Sequence, residues 1–228
     1  MFGKIAGFEF RYQIRQPVFW VVAIIFFLLT FGAMTVDQIQ MGSGGAIKKN
    51  ASLAIVQIHM IWSLFFMFVT TAFVANVVVR DDDTGFGPIV RATRVSKFDY
   101  LIGRFAGALP AALLCFLSVP LAILVGSAMP WVDPETIAAF NPAAYLFAYG
   151  VLAIPNILLT AALFFALATV TRSMMATYVG VVGLLVAWIA LSISLQRPEW
   201  RDIMAVAEPF GAAALAEATR YWTTTEAN

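Results

Sequence analysis

The sequence predicts an all-α, polytopic membrane protein, and three observations lead to that prediction. Of the 228 residues, 61% are hydrophobic and only 12% are charged, whereas soluble domains are about one-quarter charged. Five apolar stretches each approach the ~20 residues that a helix needs to cross a bilayer. The charges are concentrated between these stretches, where water can solvate them. No long block of like charge accompanies the net charge of +1, so we expect no nucleic-acid partner.

Residues 1–16 precede the first apolar stretch and are predicted to form an amphipathic elbow helix in the membrane interface. Lys4, Arg11 and Arg15 fall on one narrow stripe, because separations of seven and eleven residues return to nearly the same helical angle. Phe8 lies on this basic side, and Glu9 lies on the other side, where it interrupts an otherwise apolar face. The alternative is an ordinary charged flank of the first span.

The transmembrane domain is predicted to cover residues 17–195, with five spans assigned from length and absence of charge. The spans are residues 17–36, a segment within 52–79, residues 105–128, a segment within 140–170, and residues 173–195. Pro110, Pro120 and Pro155 lie inside the third and fourth spans and are predicted to kink them. Cys115 is interpreted as a buried apolar residue, because a single cysteine cannot form a disulfide within the chain.

The distribution of Lys and Arg predicts a cytoplasmic N-terminus, because cytoplasmic loops are enriched in these residues. In that orientation the cytoplasmic side holds Lys4, Arg11, Arg15, Arg80, Arg91, Arg94, Lys97, Arg104 and Arg172, and the outer side holds only Lys48, Lys49, Arg197, Arg201 and Arg220. Residues 196–228 are then predicted to form extracytoplasmic re-entrant or interfacial helices. The odd number of spans leads us to expect a sixth span beyond Asn228, in a longer protein.

The loop 80–104 has the densest concentration of charge and is predicted to be the contact point with a partner. Asp81, Asp82 and Asp83 are predicted to lie near the start of a short helix, whose dipole would stabilise them. The expected docking residues are Asp81, Asp82, Asp83, Thr84, Gly85, Phe86, Ile89, Val90, Arg91, Arg94 and Lys97. The alternative is a solvated connector whose charges serve only to set the topology.

The chain lacks the sequence motifs of phosphate loops, zinc sites and serine nucleophile elbows. We therefore expect it to be no enzyme, with no catalytic residue, cofactor or metal of its own. His59 is an ionisable residue inside a span, and Ser63 follows it on the same helical face. Both are candidates for lining a transport pathway, and an intramembrane His–Ser nucleophile is a distant alternative. The spans contain no Asp, Glu, Lys or Arg, so any energy for transport must come from a partner.

The chain resembles the ABC-2 class of ABC transporter permeases. The resemblance is carried by the basic first helix, by the first hairpin, and by the acidic residues, Thr-Gly, Val-Ser-Lys and Tyr-Leu-x-Gly-Arg of residues 81–104. A closer resemblance covers nearly the whole chain and is to bacterial permeases fused ahead of a zinc aminopeptidase domain. It is carried by MFGKIAGFEFRYQIRQPVFW, by RDDDTGFGPIVRATRVSKFDYLIGRF, and by EPFG followed by RYWT. Nothing of the peptidase is present.

The resemblance implies the membrane-spanning subunit of an ATP-driven exporter in the bacterial cytoplasmic (inner) membrane. Residues 81–97 would be the coupling helix that docks into the ATPase, and residues 2–16 would be the elbow helix. The implied partners are an ABC ATPase subunit, which would hold ATP and Mg, a second permease half, identical or different, and the lipid bilayer. The alternative function is a non-transporting scaffold that recruits a soluble partner through loop 80–104.

Overall fold

The fold is all-helical, as predicted, with five helices long and apolar enough to cross a membrane. The structure is a computed structural model that describes residues 1–36, 47–85, 87, 92–93, 95–194, 203, 206 and 208–228. Within these residues it contains helices and no strands. The candidate spans are Pro17–Thr35, Ser52–Asp81, Lys97–Ser127, Pro142–Thr171 and Met174–Ile193, which confirms the prediction of five apolar spans.

The helices are numbered here in chain order. They are α1 (Phe2–Arg15), α2 (Pro17–Thr35), α3 (Ser52–Thr70), α4 (Asn76–Asp83), α5 (Lys97–Phe116), α6 (Ser118–Ser127), α7 (Pro142–Phe147), α8 (Ile154–Thr171), α9 (Met174–Ser194), α10 (Ala212–Ala218) and α11 (Thr224–Ala227). A π-helical turn, Thr71–Ala75, joins α3 to α4, and a second one, Ala148–Ala153, joins α7 to α8.

The first helix ends at Arg15 because the next residue leaves the helical conformation. Gln16 has φ −70° and ψ 134°, as expected for a residue before proline. Pro17 then begins α2, where its missing N–H and fixed φ suit the first helical position. The break between α1 and α2 therefore falls at Gln16.

The predicted proline distortions have clear structural counterparts in two of three places. A proline ring clashes with the carbonyl four residues earlier. That residue is Phe116 for Pro120, and α5 ends at Phe116. For Pro155 it is Val151, which lies in the π-helical turn Ala148–Ala153. Pro110 is accommodated inside α5.

The acidic residues end one helix, and the residues predicted to form the short helix after Gly85 lie largely outside the described part of the chain. Asp81, Asp82 and Asp83 are the last residues of α4, at its C-terminal end, where the helix dipole does not favour acids. The helix continues past Val79 because Asp81 pairs with Arg104 and Arg80 pairs with Glu9. On the far side of the loop, α5 begins at Lys97, eight residues before the expected span, and the Ser96 hydroxyl accepts a hydrogen bond from the Asp99 N–H.

The chain forms two compact units, and the first comprises Met1–Ala23, Phe65–Phe116 and Ile157–Val186. Its core is aromatic: the Phe66 and Phe116 rings meet edge to face with centroids 5.1 Å apart, and Phe19 stacks on Phe73 at 6.2 Å. Cys115 is 1% exposed, which confirms its interpretation as a buried apolar residue.

The second unit comprises Ile24–Leu64, Leu117–Asn156 and Ala187–Asn228. Phe26 packs on Trp62 with centroids 5.1 Å apart. The Asn156 amide donates to the Ser63 hydroxyl at 3.0 Å and to the Phe210 carbonyl at 3.1 Å, so a buried polar contact joins α3, α8 and the C-terminal segment.

The C-terminal segment of the second unit turns at Pro209–Gly211. The buried Glu208 carboxylate accepts hydrogen bonds from the Trp188 indole at 2.5 Å and from the Phe210 N–H at 3.1 Å. It also accepts from the Ala212 N–H at 2.5 Å. Gly211 has φ +82°, a conformation that favours glycine, and α10 follows directly.

Candidate functional site

The candidate site lies where α1 packs closely against α5. Gly103 and Gly107 in α5 face α1, and a Cβ at Gly107 would lie 2.7 Å from the Glu9 Cβ and would collide with the Ala6 carbonyl. A Cβ at Gly103 would lie 3.1 Å from the Ile5 Cβ. This Gly-x-x-x-Gly spacing lets two helix backbones approach closely, as in pairs of membrane helices. The approach brings Glu9 into reach of the cations on α4 and α5.

Glu9 is the centre of a buried ion network formed by Glu9, Arg80, Asp81 and Arg104. The Glu9 side chain is completely buried. Arg80 donates to both of its carboxylate oxygens, at 2.9 and 3.4 Å. Arg104 donates to Glu9 through Nη1 and to the Asp81 carboxylate through Nη2, the latter at 2.5 Å. The two carboxylates and two guanidinium groups balance in charge, which makes the burial of four ionic groups tolerable.

Uncharged side chains complete the network. The Gln13 amide donates to Glu9 at 2.9 Å and to the Phe73 carbonyl at 3.0 Å. Phe73 lies in the π-helical turn Thr71–Ala75, and such turns leave a backbone carbonyl without its usual helical partner. The Tyr100 hydroxyl donates to Asp81. Gln13 therefore uses the π-helical turn to tie α1 to the end of the second span.

Aromatic rings cover the two guanidinium groups. The Arg80 guanidinium lies 4.1 Å from the Tyr12 ring centroid, and the Arg104 guanidinium lies 5.2 Å from Tyr100 and 5.9 Å from Phe8. Cation–π contacts of this kind strengthen as water is excluded. Arg80 and Arg104 stand at the two ends of the predicted partner loop, so the network fixes both ends of loop 80–104 to α1.

Sequence reasoning placed only one member of the network, Asp81, among the functional residues. The structure places Asp81 in the network, with 7% of its surface exposed. Thr84 donates to the Arg80 carbonyl at 2.8 Å, Gly85 has φ +71°, and Lys97 begins α5. Phe86, Ile89, Val90, Arg91 and Arg94 lie outside the described residues, as do the side chains of Asp82 and Asp83.

Glu9, Gln13, Arg80, Tyr100 and Arg104 were not recognised as site residues from the sequence. Glu9 appeared to interrupt the apolar face of α1, yet Glu9 and Gln13 are the buried residues of this helix. Two signals could have revealed their role: Glu9 and Gln13 are four residues apart on one helical face, and Gly103 and Gly107 mark a close helix contact. On the other side of α1, the predicted elbow-helix residues are exposed; they are Lys4, Phe8, Arg11 and Arg15.

The other predicted positions, His59 and Ser63, are both buried in the second unit. His59 Nδ1 lies 2.8 Å from the Ile55 carbonyl. Ser63 donates to the Met60 carbonyl at 2.9 Å and accepts from Asn156. These contacts fit a structural role in helix packing. Across the described residues, no group of three or more His, Cys, Asp and Glu could hold a metal ion.

Comparison with known proteins finds no matching family model and no similar curated protein sequence.

Proposed function

We propose that the chain is the transmembrane permease subunit of an ATP-driven ABC-2 type exporter. Two observations support this proposal: the resemblance carried by the first helix and loop 80–104, and the five long apolar helices. Loop 80–104 would receive the force of ATP hydrolysis from a partner ATPase subunit. A second permease half would complete the path through the membrane.

The observation that carries the proposal is the ion network at the ends of the loop. A loop that transmits force must be attached rigidly, because a flexible attachment would absorb the displacement. Arg80 pairs with Glu9, and Arg104 pairs with both Glu9 and Asp81. A push on the loop would therefore move α1, α4 and α5 together, and α1 leads directly into α2 across the single residue Gln16.

The source of energy in this proposal lies outside the chain. The charged residues of the candidate spans lie at the ends that join loop 80–104, whereas ion-coupled carriers place charged relays at membrane depth. ATP and Mg would be bound by the partner ATPase, and the chain itself would be no enzyme.

The test is ATP hydrolysis by the chain together with an ABC ATPase that copurifies with it from bacterial membranes, after reconstitution in lipid nanodiscs. We expect Ile89→Ala or Asp82→Asn to change the hydrolysis rate, because these residues belong to the proposed coupling element. Glu135→Gln, on the exposed loop between the third and fourth spans, is the matched control and should leave the rate unchanged. Absence of any bound ABC ATPase would refute the proposal.

The second candidate is a non-transporting scaffold that recruits a soluble partner through loop 80–104. The ion network is compatible with it, because a docking platform can also stand on a rigid base, but docking alone does not require the rigid attachment that transmission of force requires. The same experiment separates the two functions. A bound ATPase whose hydrolysis rate responds to neither Ile89→Ala nor Asp82→Asn would favour the scaffold.

A further inference from the structure

The outward side of α1 carries a row of cations on the face opposite to the buried ion network. Helix geometry places Lys4, Arg11 and Arg15 within a narrow stripe, about half a turn away from Glu9 and Gln13. All three cations are exposed. Within the described part of the chain, the ion pairs involve other residues, so the charges of the stripe are not neutralised there.

A groove of about 610 Å³ runs along this stripe and is lined by residues of α1. Gly7 borders open space, with no atom within 4 Å of the position that a Cβ would occupy. The rings of Phe8 and Tyr12 lie along the groove, stacked with centroids 6.2 Å apart. Since these rings also cover Arg104 and Arg80, they separate the groove from the ion network.

The position of the groove along the chain places it at the edge of the hydrocarbon. The chain turns at Gln16, and α2 begins at Pro17 with apolar residues on its surface. Val18, Trp20 and Val21 are each more than half exposed, as expected for side chains that face lipid. Trp20 donates its indole N–H to the Ile14 carbonyl at 3.1 Å, and tryptophan is enriched where hydrocarbon meets the headgroups.

We propose that the groove binds the headgroup of an anionic phospholipid from the leaflet on which α1 lies. Three exposed cations attract the phosphate and the net negative charge of such a lipid. Gly3 and Gly7 have no side chains and so leave room for the headgroup. The Phe8 and Tyr12 rings provide an apolar wall for the upper part of the acyl chain. A zwitterionic lipid has no net charge to match the stripe. Lipid identity would thus act on the helix that holds the ends of loop 80–104.

The test is lipid binding to the purified full-length chain in detergent, measured by native mass spectrometry during titration with phosphatidylglycerol or phosphatidylcholine. We expect tighter binding of phosphatidylglycerol. The triple variant Lys4→Gln/Arg11→Gln/Arg15→Gln should lose that affinity by on the order of 100-fold, at roughly 5-fold per cation. The matched control Lys97→Gln/Arg172→Gln/Arg220→Gln removes three exposed cations elsewhere and should keep the wild-type affinity.

Three results would overturn the proposal: equal affinity for the two lipids, equal loss in both triple variants, or unchanged binding of phosphatidylglycerol by the stripe variant. The last result is also the one expected if a protein partner occupies the stripe. Lys4→Gln alone provides a milder variant, at an exposed first turn. It should weaken phosphatidylglycerol binding roughly 5-fold without disturbing the buried face of α1.

Discussion

At the scale of single residues, Glu9 is a fully buried carboxylate that depends on cations from other helices. Its carboxylate receives hydrogen bonds from Arg80, Arg104 and Gln13 while fully buried. Removing one partner of a buried ion pair leaves an uncompensated charge, which is costly in a medium of low dielectric constant. The stability of this part of the protein should therefore depend strongly on the charge at position 9.

We predict that Glu9→Gln lowers the free energy of unfolding by about 3–5 kcal/mol, because Arg80 then loses the carboxylate that it pairs with and Arg104 keeps only Asp81. Equilibrium unfolding in mixed detergent micelles measures the change. The control is Glu217→Gln, which breaks the exposed pair with Arg220 at 3.7 Å and should cost less than about 1 kcal/mol. A similar loss in both variants would mean that the network contributes nothing beyond a surface pair.

The Tyr100 hydroxyl donates a hydrogen bond to the Asp81 carboxylate. Tyr100→Phe should lower the unfolding free energy by about 1.5–3 kcal/mol, the range for a hydrogen bond to a charged group. Tyr221→Phe is the control, since that side chain is 80% exposed. Equal stability of Tyr100→Phe and wild type would show that water or a neighbour replaces the hydroxyl.

The sequence predicts the burial or role of a residue only where its neighbours in the chain determine them. The burial of Cys115 followed from its apolar surroundings. The role of Glu9 did not, because hydrophobic periodicity assigns a charged residue to the solvent side, while here a distant cation compensates it. Arg104 is 95 residues away from Glu9 in the chain, and no local pattern links them.

At the scale of helices, the contact between α1 and α5 depends on the absence of a side chain at Gly107. We predict that Gly107→Ala lowers the free energy of unfolding by about 1–3 kcal/mol, the usual cost of overpacking, because its Cβ would collide with the Ala6 carbonyl. The same measurement on Gly183→Ala is the control. Nothing lies within 4 Å of that added Cβ, so a comparable loss there would contradict the packing argument.

The short helix α11 should respond to acid. The Thr223 backbone and hydroxyl donate hydrogen bonds to Glu226 and lower the pKa of its carboxyl. A lowered pKa in the folded state means that the carboxylate stabilises α11 above the ordinary glutamate pKa, and that this contribution is lost as the pH falls through the lowered value. The protection of the Ala227 and Asn228 amides against hydrogen exchange, taken relative to the intrinsic exchange rate at each pH, should therefore fall on acidification.

The matched variant for this prediction is Glu226→Gln, whose amide can still accept from Thr223 but does not titrate in this range. Exchange at Ala227 should then show no acid transition beyond the intrinsic pH dependence of exchange. Persistence of the transition in Glu226→Gln would assign it to another group.

The helices were easier to predict than their ends. Length and absence of charge located five spans, because a bilayer imposes both. The same criterion placed the third span at residue 105, whereas α5 begins at Lys97, because a charge count cannot recognise that Arg104 is neutralised. Proline chemistry predicted distortions near Pro120 and Pro155, and the π-helical turn Thr71–Ala75 had no sequence signal that we recognised.

At the scale of the whole molecule, the alternation of five spans predicts opposite sides for consecutive loops. On a Cys115→Ala background, we expect Ala92→Cys to react with an impermeant thiol reagent only in inverted vesicles, since the count of Lys and Arg predicts that loop 80–104 is cytoplasmic. Glu135→Cys, on the next loop, should react only in right-side-out vesicles. Labelling of Ala92→Cys from outside would reverse the orientation and remove the basis of the proposed coupling.

The ion network also has a consequence for biosynthesis. Glu9 leaves the ribosome long before Arg80 and Arg104, and the 95 residues between Glu9 and Arg104 take roughly 5–20 s to translate. Until Arg80 and Arg104 have been made, the nascent α1 has no cation from α4 or α5 to neutralise its carboxylate, so Glu9 must remain hydrated while the first two spans insert. The final docking of α1 would then depend on completion of the first hairpin.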